Sequence, residues 1–381
     1  MKTGFGLCLK RSIIILCSLF YCFVSNAYDF EVDGIYYNIQ SIENRTCVVT
    51  SPKLNTLGRA ASNSGSYTIR RPDPNLYSGK VIIPQNPEYK GRQLTVVGIE
   101  DYAFYMCSDL LSVSLPPTVV TIGEQAFYGC KNLVSIEGVV NATIGIGAFA
   151  GCKSLKSIRL GKCPSISPQA FDGCTSLDRI QIPPTVKSIG EEAFANCGQI
   201  SKVEFENGSS TLSIKKSAFK GSPIIDLFIG RNLTYWASYS TVFYPPFEGI
   251  VNLSIGDDVT SFYKDVKTGS SRDNGRYRDS RTGEIVHSDD IIRGLCESFK
   301  SVYDIEGLRT IVLGKAVTRI PNFENAKLER ITIHSSTPPI VDGTFSFYSI
   351  INAVLIVPNG AINAYKQISP WKDFDIQGLQ E

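Results

Sequence analysis

Five cysteines, Cys107, Cys130, Cys152, Cys174 and Cys197, recur 22 or 23 residues apart. A thiol can bridge, bind a soft metal or attack an electrophile, so each option has to be weighed. A metal site needs several ligands converging on one point. This series is a row, and it contains no Cys-x-x-Cys pair. A nucleophilic thiol would need a base, and the chain has only two histidines, His287 and His334. His334 follows the strand-like Ile331-Thr-Ile333 where similar runs are followed by Pro116 or Gly230, so it reads as a surface residue. No phosphate loop or dinucleotide fingerprint is present. The residues therefore offer no catalytic, metal-binding or cofactor-binding constellation, and the chain reads as a non-enzyme.

Aromatic residues offer a second chemistry. Tyr235, Trp236, Tyr239, Phe243, Tyr244 and Phe247 cluster around Pro245-Pro246. Exposed, such rings stack on sugar faces or anchor a protein contact; buried, they repair packing. Burial is the expected reading, and Trp236 and Tyr239 are the residues through which a glycan would be held if it fails.

A repeat positions these residues. Ala-Phe recurs with its Phe at 104, 127, 149, 171, 194 and 219. Three residues after each Phe stand the five cysteines and then Ser222, and five before it stand Ile99, Ile122, Ile144, Ile166, Ile189 and Ile214. Nine after it stand Val113, Ile136, Ile158, Ile180 and Val203. Short alternating runs such as Arg179-Ile-Gln-Ile182 predict strands with one buried face. One unit cannot bury its apolar slots alone, but stacked units give each Phe, Leu and Ile a like neighbour. The expected fold is an α/β solenoid, a right-handed curved rod with one parallel sheet and a tight turn or short helix at Ala-Phe. The cysteine slot tolerates Ser222, which points to buried thiols rather than bridges. The states of Cys47 and Cys296 stay open.

The boundaries follow from the pattern. Residues 1–27 read as a cleaved export signal, with Lys2, Lys10 and Arg11 before an apolar run from Ile13 to Val24 and small residues at Ser25-Asn-Ala27. Residues 28–98 form an N-terminal β-rich cap, 99–262 the repeats, 263–305 an inserted loop, and 306–381 terminal repeats and a C-terminal cap. Losing the signal takes the net charge from +2 to −1, too little to grip nucleic-acid phosphates. No later segment is long and apolar enough to span a bilayer as a helix.

The units Ala126-Phe-Tyr-Gly-Cys130, Ala148-Phe-Ala-Gly-Cys152 and Ala170-Phe-Asp-Gly-Cys174 resemble those of the BspA-like leucine-rich repeat family. Asp29 to Tyr37 resembles that family's opening strand, and Val357-Pro-Asn-Gly360 with Trp371 its C-terminal cap. The resemblance covers the mature chain outside 235–250 and 263–305. It implies an exported, secreted or cell-surface bacterial protein, and adhesion to host matrix or cell-surface proteins as one role. The outward strand positions turn from serine to charge in the central units. A protein contact on the concave sheet face is therefore expected at Arg159, Arg179, Lys202 and Glu204, with a surface glycan as the alternative ligand.

Overall fold

A computed structural model describes residues 28–52, 76–215, 217–237, 247, 249–260, 266–268, 276–278, 285–287, 307–321, 326–342 and 352–380. The chain winds as a solenoid of parallel strands. Each unit lays a front strand, crosses to a back wall, and returns through the Ala-Phe turn.

The expectation of a single sheet is corrected. The back wall is an eleven-stranded sheet, begun by Phe30–Val32, Ile35–Ser41, Thr46–Thr50 and Thr95–Ile99. It continues through two-residue rungs such as Thr121–Ile122 and Thr143–Ile144. The front wall is an eight-stranded all-parallel sheet running from Arg179–Ile182 to Asp375–Gly378, preceded by a three-stranded sheet of Gly79–Ile82, Leu110–Ser114 and Ser135–Glu137. The isoleucine five before each Phe sits in a rung of its own and pairs with its equivalents, as Ile122 does with Ile144. Helix is nearly absent among the described residues. Ile362–Tyr365, four residues of the C-terminal cap, is the one α-helix among the described residues, so the expected solenoid is built of β-strands and the α/β description is loose. The Ala-Phe segments are turns. Their tightness needs a left-handed residue two after the Phe, supplied by Gly129, Gly151, Gly173 and Gly221 with φ near +70° (68°, 72°, 70° and 67°).

The two front sheets are separated by a local shortening. Eight residues separate Ile136 from Ile144 and Ile158 from Ile166, against nine between Val113 and Ile122 and between Ile180 and Ile189. The shorter units lack the two prolines that follow the longer strands. Ser157 makes a single bridge to Ser135, and Leu160 one to Val140. Between them the chain turns early and forms no strand.

The core is a row of rings. Phe127, Phe149 and Phe171 stack at 5.1 and 5.2 Å with interplanar angles of 2° and 4°, all fully buried. The row continues through Phe194 and Phe219. Tyr77 closes it at one end, 4.4 Å from Phe104, and Phe247 extends it at the other, 5.4 Å from Phe219. Phe247-Glu-Gly-Ile250 is therefore one more repeat turn, with Gly249 at φ 74°, inside a stretch the family resemblance leaves out. Leu233–Ala237 likewise takes a back-wall rung beside Leu212–Ile214.

Within 263–305, read from the sequence as an inserted loop, three short strands are described. Val266–Thr268 pairs in parallel with Leu233–Ala237 and forms the last rung of the back wall. Arg276–Arg278 and Ile285–His287 pair as an antiparallel hairpin. The next described front-wall strand is Thr310–Leu313, which pairs with Asn252–Ile255.

Candidate functional site

Front-wall register decides which side chains share a surface. Arg179 lies directly opposite Lys202, Lys202 opposite Asp226, and Asp226 opposite Asn252. The row continues through Thr310 to Arg330. The second row pairs Gln181 with Glu204 and Glu204 with Phe228. Ile180, Val203 and Leu227, one residue over, are buried, so the alternation read in the sequence is the alternation of the sheet.

Of the four candidate residues, three sit on the eight-stranded sheet. Arg179 and Lys202 are exposed and adjacent, and Glu204 is half-buried beside Gln181. Arg159 is exposed but lies outside any strand, at the early turn between the two front sheets. Its carbonyl accepts a hydrogen bond from Val140 N–H at 2.8 Å, which fixes the backbone there. The structure therefore assembles Arg179, Lys202 and Glu204 and sets Arg159 at their margin.

The chemistry of this face is ionic and amide-like. Like charges directly opposite each other on a sheet destabilise it, and Arg179 against Lys202 is such a pair. Arg179 Nε has Asp178 Oδ1 at 3.7 Å, a loose and exposed ion pair worth little. Asn252 Nδ2 donates to Asp226 Oδ1 at 2.6 Å, and Thr310 Oγ1 donates to Asn252 Oδ1 at 2.5 Å. Exposed Ile225 and half-buried Phe228 flank the charges. Toward the N-terminus the floor falls to serine, and Lys80 reaches over Ser112 and Ser114 to Glu137 Oε1 at 2.9 Å.

A second charged group closes the strand ends. His334 Nδ1 lies 3.0 Å from Asp257 Oδ1, and Lys315 Nζ lies 3.7 Å from Asp257 Oδ2. The hydrogen bond from His334, with smaller help from Lys315, holds the Asp257 carboxyl below its usual range. His334 is thus a surface residue with a structural partner. His287 belongs to the hairpin strand Ile285–His287.

The cysteine row is a hydrogen-bond device. Cys130 Sγ donates to Phe104 O at 3.0 Å, Cys152 to Phe127 O at 3.1 Å, Cys174 to Phe149 O at 3.2 Å and Cys197 to Phe171 O at 3.1 Å. Ser222 Oγ does the same to Phe194 O at 2.7 Å, which explains why serine fits the slot. All five ladder cysteines, with Cys47 and Cys163, are buried and unbridged. Burial raises Cys152 and Cys174 well above the usual thiol range, Cys163 to about 11, and Cys47 and Cys197 to about 12, so these five are not thiolates near neutral pH. Cys296 lies outside the described residues. Among those described, no three His, Cys, Asp or Glu side chains gather as a metal site.

Sequence reasoning missed Arg231, which is 1% exposed. Its guanidinium donates to Pro183 O at 2.9 Å, Pro184 O at 3.0 Å and Val186 O at 2.7 Å, residues two units earlier. Desolvation lowers it to about 10, against a smaller opposing pull from Glu206. Arg231-Asn232 follows a strand-ending glycine and looked like ordinary surface; no repeat slot marks it. For the aromatic alternative, the backbone of Trp236 pairs with Lys267 in the back wall, and Tyr239 lies outside the described residues.

A family model described as a BspA type leucine rich repeat region matches residues 97–225 and 142–270, in six copies. Over residues 97–270 the chain is thus similar to a BspA type leucine rich repeat region. Solved structures similar to it include a leucine rich cell surface protein from Faecalibacterium prausnitzii, 18% identical, covering 92% of this chain and 75% of the other at a TM-score of 0.45. A leucine-rich repeat protein from Bacteroides ovatus is 20% identical over 93% of this chain and 100% of its own, at 0.44. A leucine rich repeat protein from T. pallidum is 25% identical over 55% and 86%, at 0.42. None of the curated proteins matches the chain. No helix among the described residues is long and apolar enough to cross a membrane.

Proposed function

We propose that this BspA-type repeat protein is an exported binding module, without catalytic activity, that holds an extracellular protein partner on its front sheet around Arg179, Lys202 and Glu204, with Arg159 at the edge. The observation that carries the reading is the register of Arg179 against Lys202. Two exposed cations in direct cross-strand opposition cost stability and are best understood as serving a ligand. Ile225 and Phe228 beside them add the apolar and aromatic contacts that protein interfaces favour at their centres. Mixed charge on a rigid face would set partner choice and association rate. The test is capture of extracellular matrix and cell-surface proteins by the purified chain. Charge reversal at Arg159, Arg179 and Lys202 together should weaken that capture and leave the unfolding midpoint unchanged. A second reading, a surface glycan-binding component of a nutrient-capture system, gains if that variant binds normally while Trp236→Ala or Tyr239→Ala abolishes binding.

A further inference from the structure

On the turn wall, opposite the residues just discussed, the side chain after each Phe forms its own column. Backbone hydrogen bonds fix its register. Met106 N–H donates to Tyr128 O, Gly129 N–H to Ala150 O, and Gly151 N–H to Asp172 O, at 2.7, 2.8 and 2.7 Å. The column therefore reads Tyr105, Tyr128, Ala150, Asp172, Ala195. Tyr105 and Tyr128 stack at 5.1 Å and 10°, in step with the buried rings behind them. The stack stops there because position 150 is alanine, buried at 6% exposure. Tyr128 is 37% exposed, and its second face looks across a slot whose floor is Ala150.

The far wall of the slot is Asp172. Successive core rings here are 5.1 and 5.2 Å apart, so Tyr128 and Asp172, two units apart, are separated by about 10 Å. One flat group fits between them. Asn196 Nδ2 donates to Asp172 Oδ1 at 2.8 Å, which anchors the carboxylate and leaves Oδ2 for another donor. In these five units the charged side chains within three residues of the Phe are Asp101, Glu124, Asp172, Glu191 and Glu192, all acidic; in the sixth unit the column turns basic at Lys220, whose carbonyl accepts from Asn196 N–H at 2.8 Å. Lys131 and Lys153, the bases nearest in sequence, each follow a buried cysteine on the approach to the front sheet.

We infer that the Tyr128–Ala150–Asp172 notch takes an arginine side chain of a protein partner, its guanidinium stacked on the Tyr128 face and its charge facing the Asp172 carboxylate across the slot. A planar cation meets one wall by cation–π stacking and the other by charge attraction across the rest of the gap, its N–H donors pointing out of the slot in its own plane. Arginine suits the flat slot better than the compact lysine ammonium, because its plane stacks on the ring while its charge faces the carboxylate. The acidic wall then draws a basic segment of the partner toward it. This contact stands apart from the front sheet and does not depend on the reading given for that face.

The test is fluorescence anisotropy of a labelled tetra-arginine peptide on the purified chain, with the tetra-citrulline peptide as its neutral counterpart. Tyr128→Leu and Asp172→Asn should each weaken tetra-arginine about threefold, and the double variant about tenfold. Ala150→Phe, which completes the ring stack, should weaken it at least as much as either single change. Asp172→Asn is isosteric and keeps a partner for Asn196, so it carries the test if Ala150→Phe does not fold. Unchanged affinity in Tyr128→Leu and Asp172→Asn, with unchanged unfolding midpoints, would overturn the proposal. So would equal binding of tetra-citrulline, or Tyr128-dependent binding of methyl pyranosides without any of tetra-arginine.

Discussion

Replacing Phe149 by alanine removes the central ring of the core row. Phe149 is fully buried and sandwiched by Phe127 at 5.1 Å and Phe171 at 5.2 Å, both nearly parallel to it. The loss combines the transfer free energy of the ring with an unfilled cavity, about 3–5 kcal/mol in a close-packed site. Two ring contacts, each about 0.5–1.5 kcal/mol beyond area burial, place the expected value in the upper half of that range. Phe149→Leu keeps most of the volume and should cost far less. Because units contact only their neighbours, the damage should be local first. Amides bridging the Phe127, Phe149 and Phe171 turns, such as Phe127 N–H to Ala148 O and Phe149 N–H to Ala170 O, should lose hydrogen-exchange protection before those of the C-terminal cap. Urea unfolding followed by circular dichroism, paired with hydrogen exchange, reads both effects. A midpoint equal to the parent's, or protection lost uniformly along the chain, would refute the argument that the ring row holds the units together.

Three further outcomes are expected. Thiol titration without reductant should detect the ladder cysteines only after unfolding. Raised thiols also stabilise the fold fully below the unfolded thiol value of about 8.5, so the urea midpoint should hold to that pH and fall as pH climbs through 11 to 12, where Cys163, Cys47 and Cys197 ionise. Arg231→Lys should destabilise by about 1–3 kcal/mol in the same assay, since an ammonium cannot reach three carbonyls spread over Pro183 to Val186. His334→Gln should raise the Asp257 carboxyl toward its ordinary value, seen by carboxyl NMR titration. Its stabilising effect is present above that value and lost as pH falls through the depressed one, and in this exposed pair it stays below about 1 kcal/mol.

What the sequence disclosed tracks how each feature is encoded. The Phe, Cys and Ile slots were readable because each repeats, and repetition is visible without coordinates. The inward and outward alternation of Arg179 to Ile182 was equally plain, so the front-sheet rows came out in register. The second sheet was obscured because its rungs, such as Thr121–Ile122 and Ser165–Ile166, are two residues long and too short to alternate. Arg159 was misplaced because one residue missing between Ile158 and Ile166 moves the turn, and slot counting does not register where a strand ends. Phe247 reads in the sequence as one of an aromatic cluster and not as a repeat turn, because no alanine precedes it and isoleucine stands in the cysteine slot. Arg231 and the Tyr128 notch occur once, so no periodic signal marks either.

The rungs of both walls lie across the long dimension of the molecule, and the hydrogen bonds between them run along it. A pull between the two ends therefore loads one rung at a time, and neighbouring rungs do not share the strain. Such a chain yields by peeling from an end or from the interruption near Arg159, lengthening in steps while the remaining units keep their shape. For a protein stretched between two attachments, that makes the array a force absorber rather than a rigid strut.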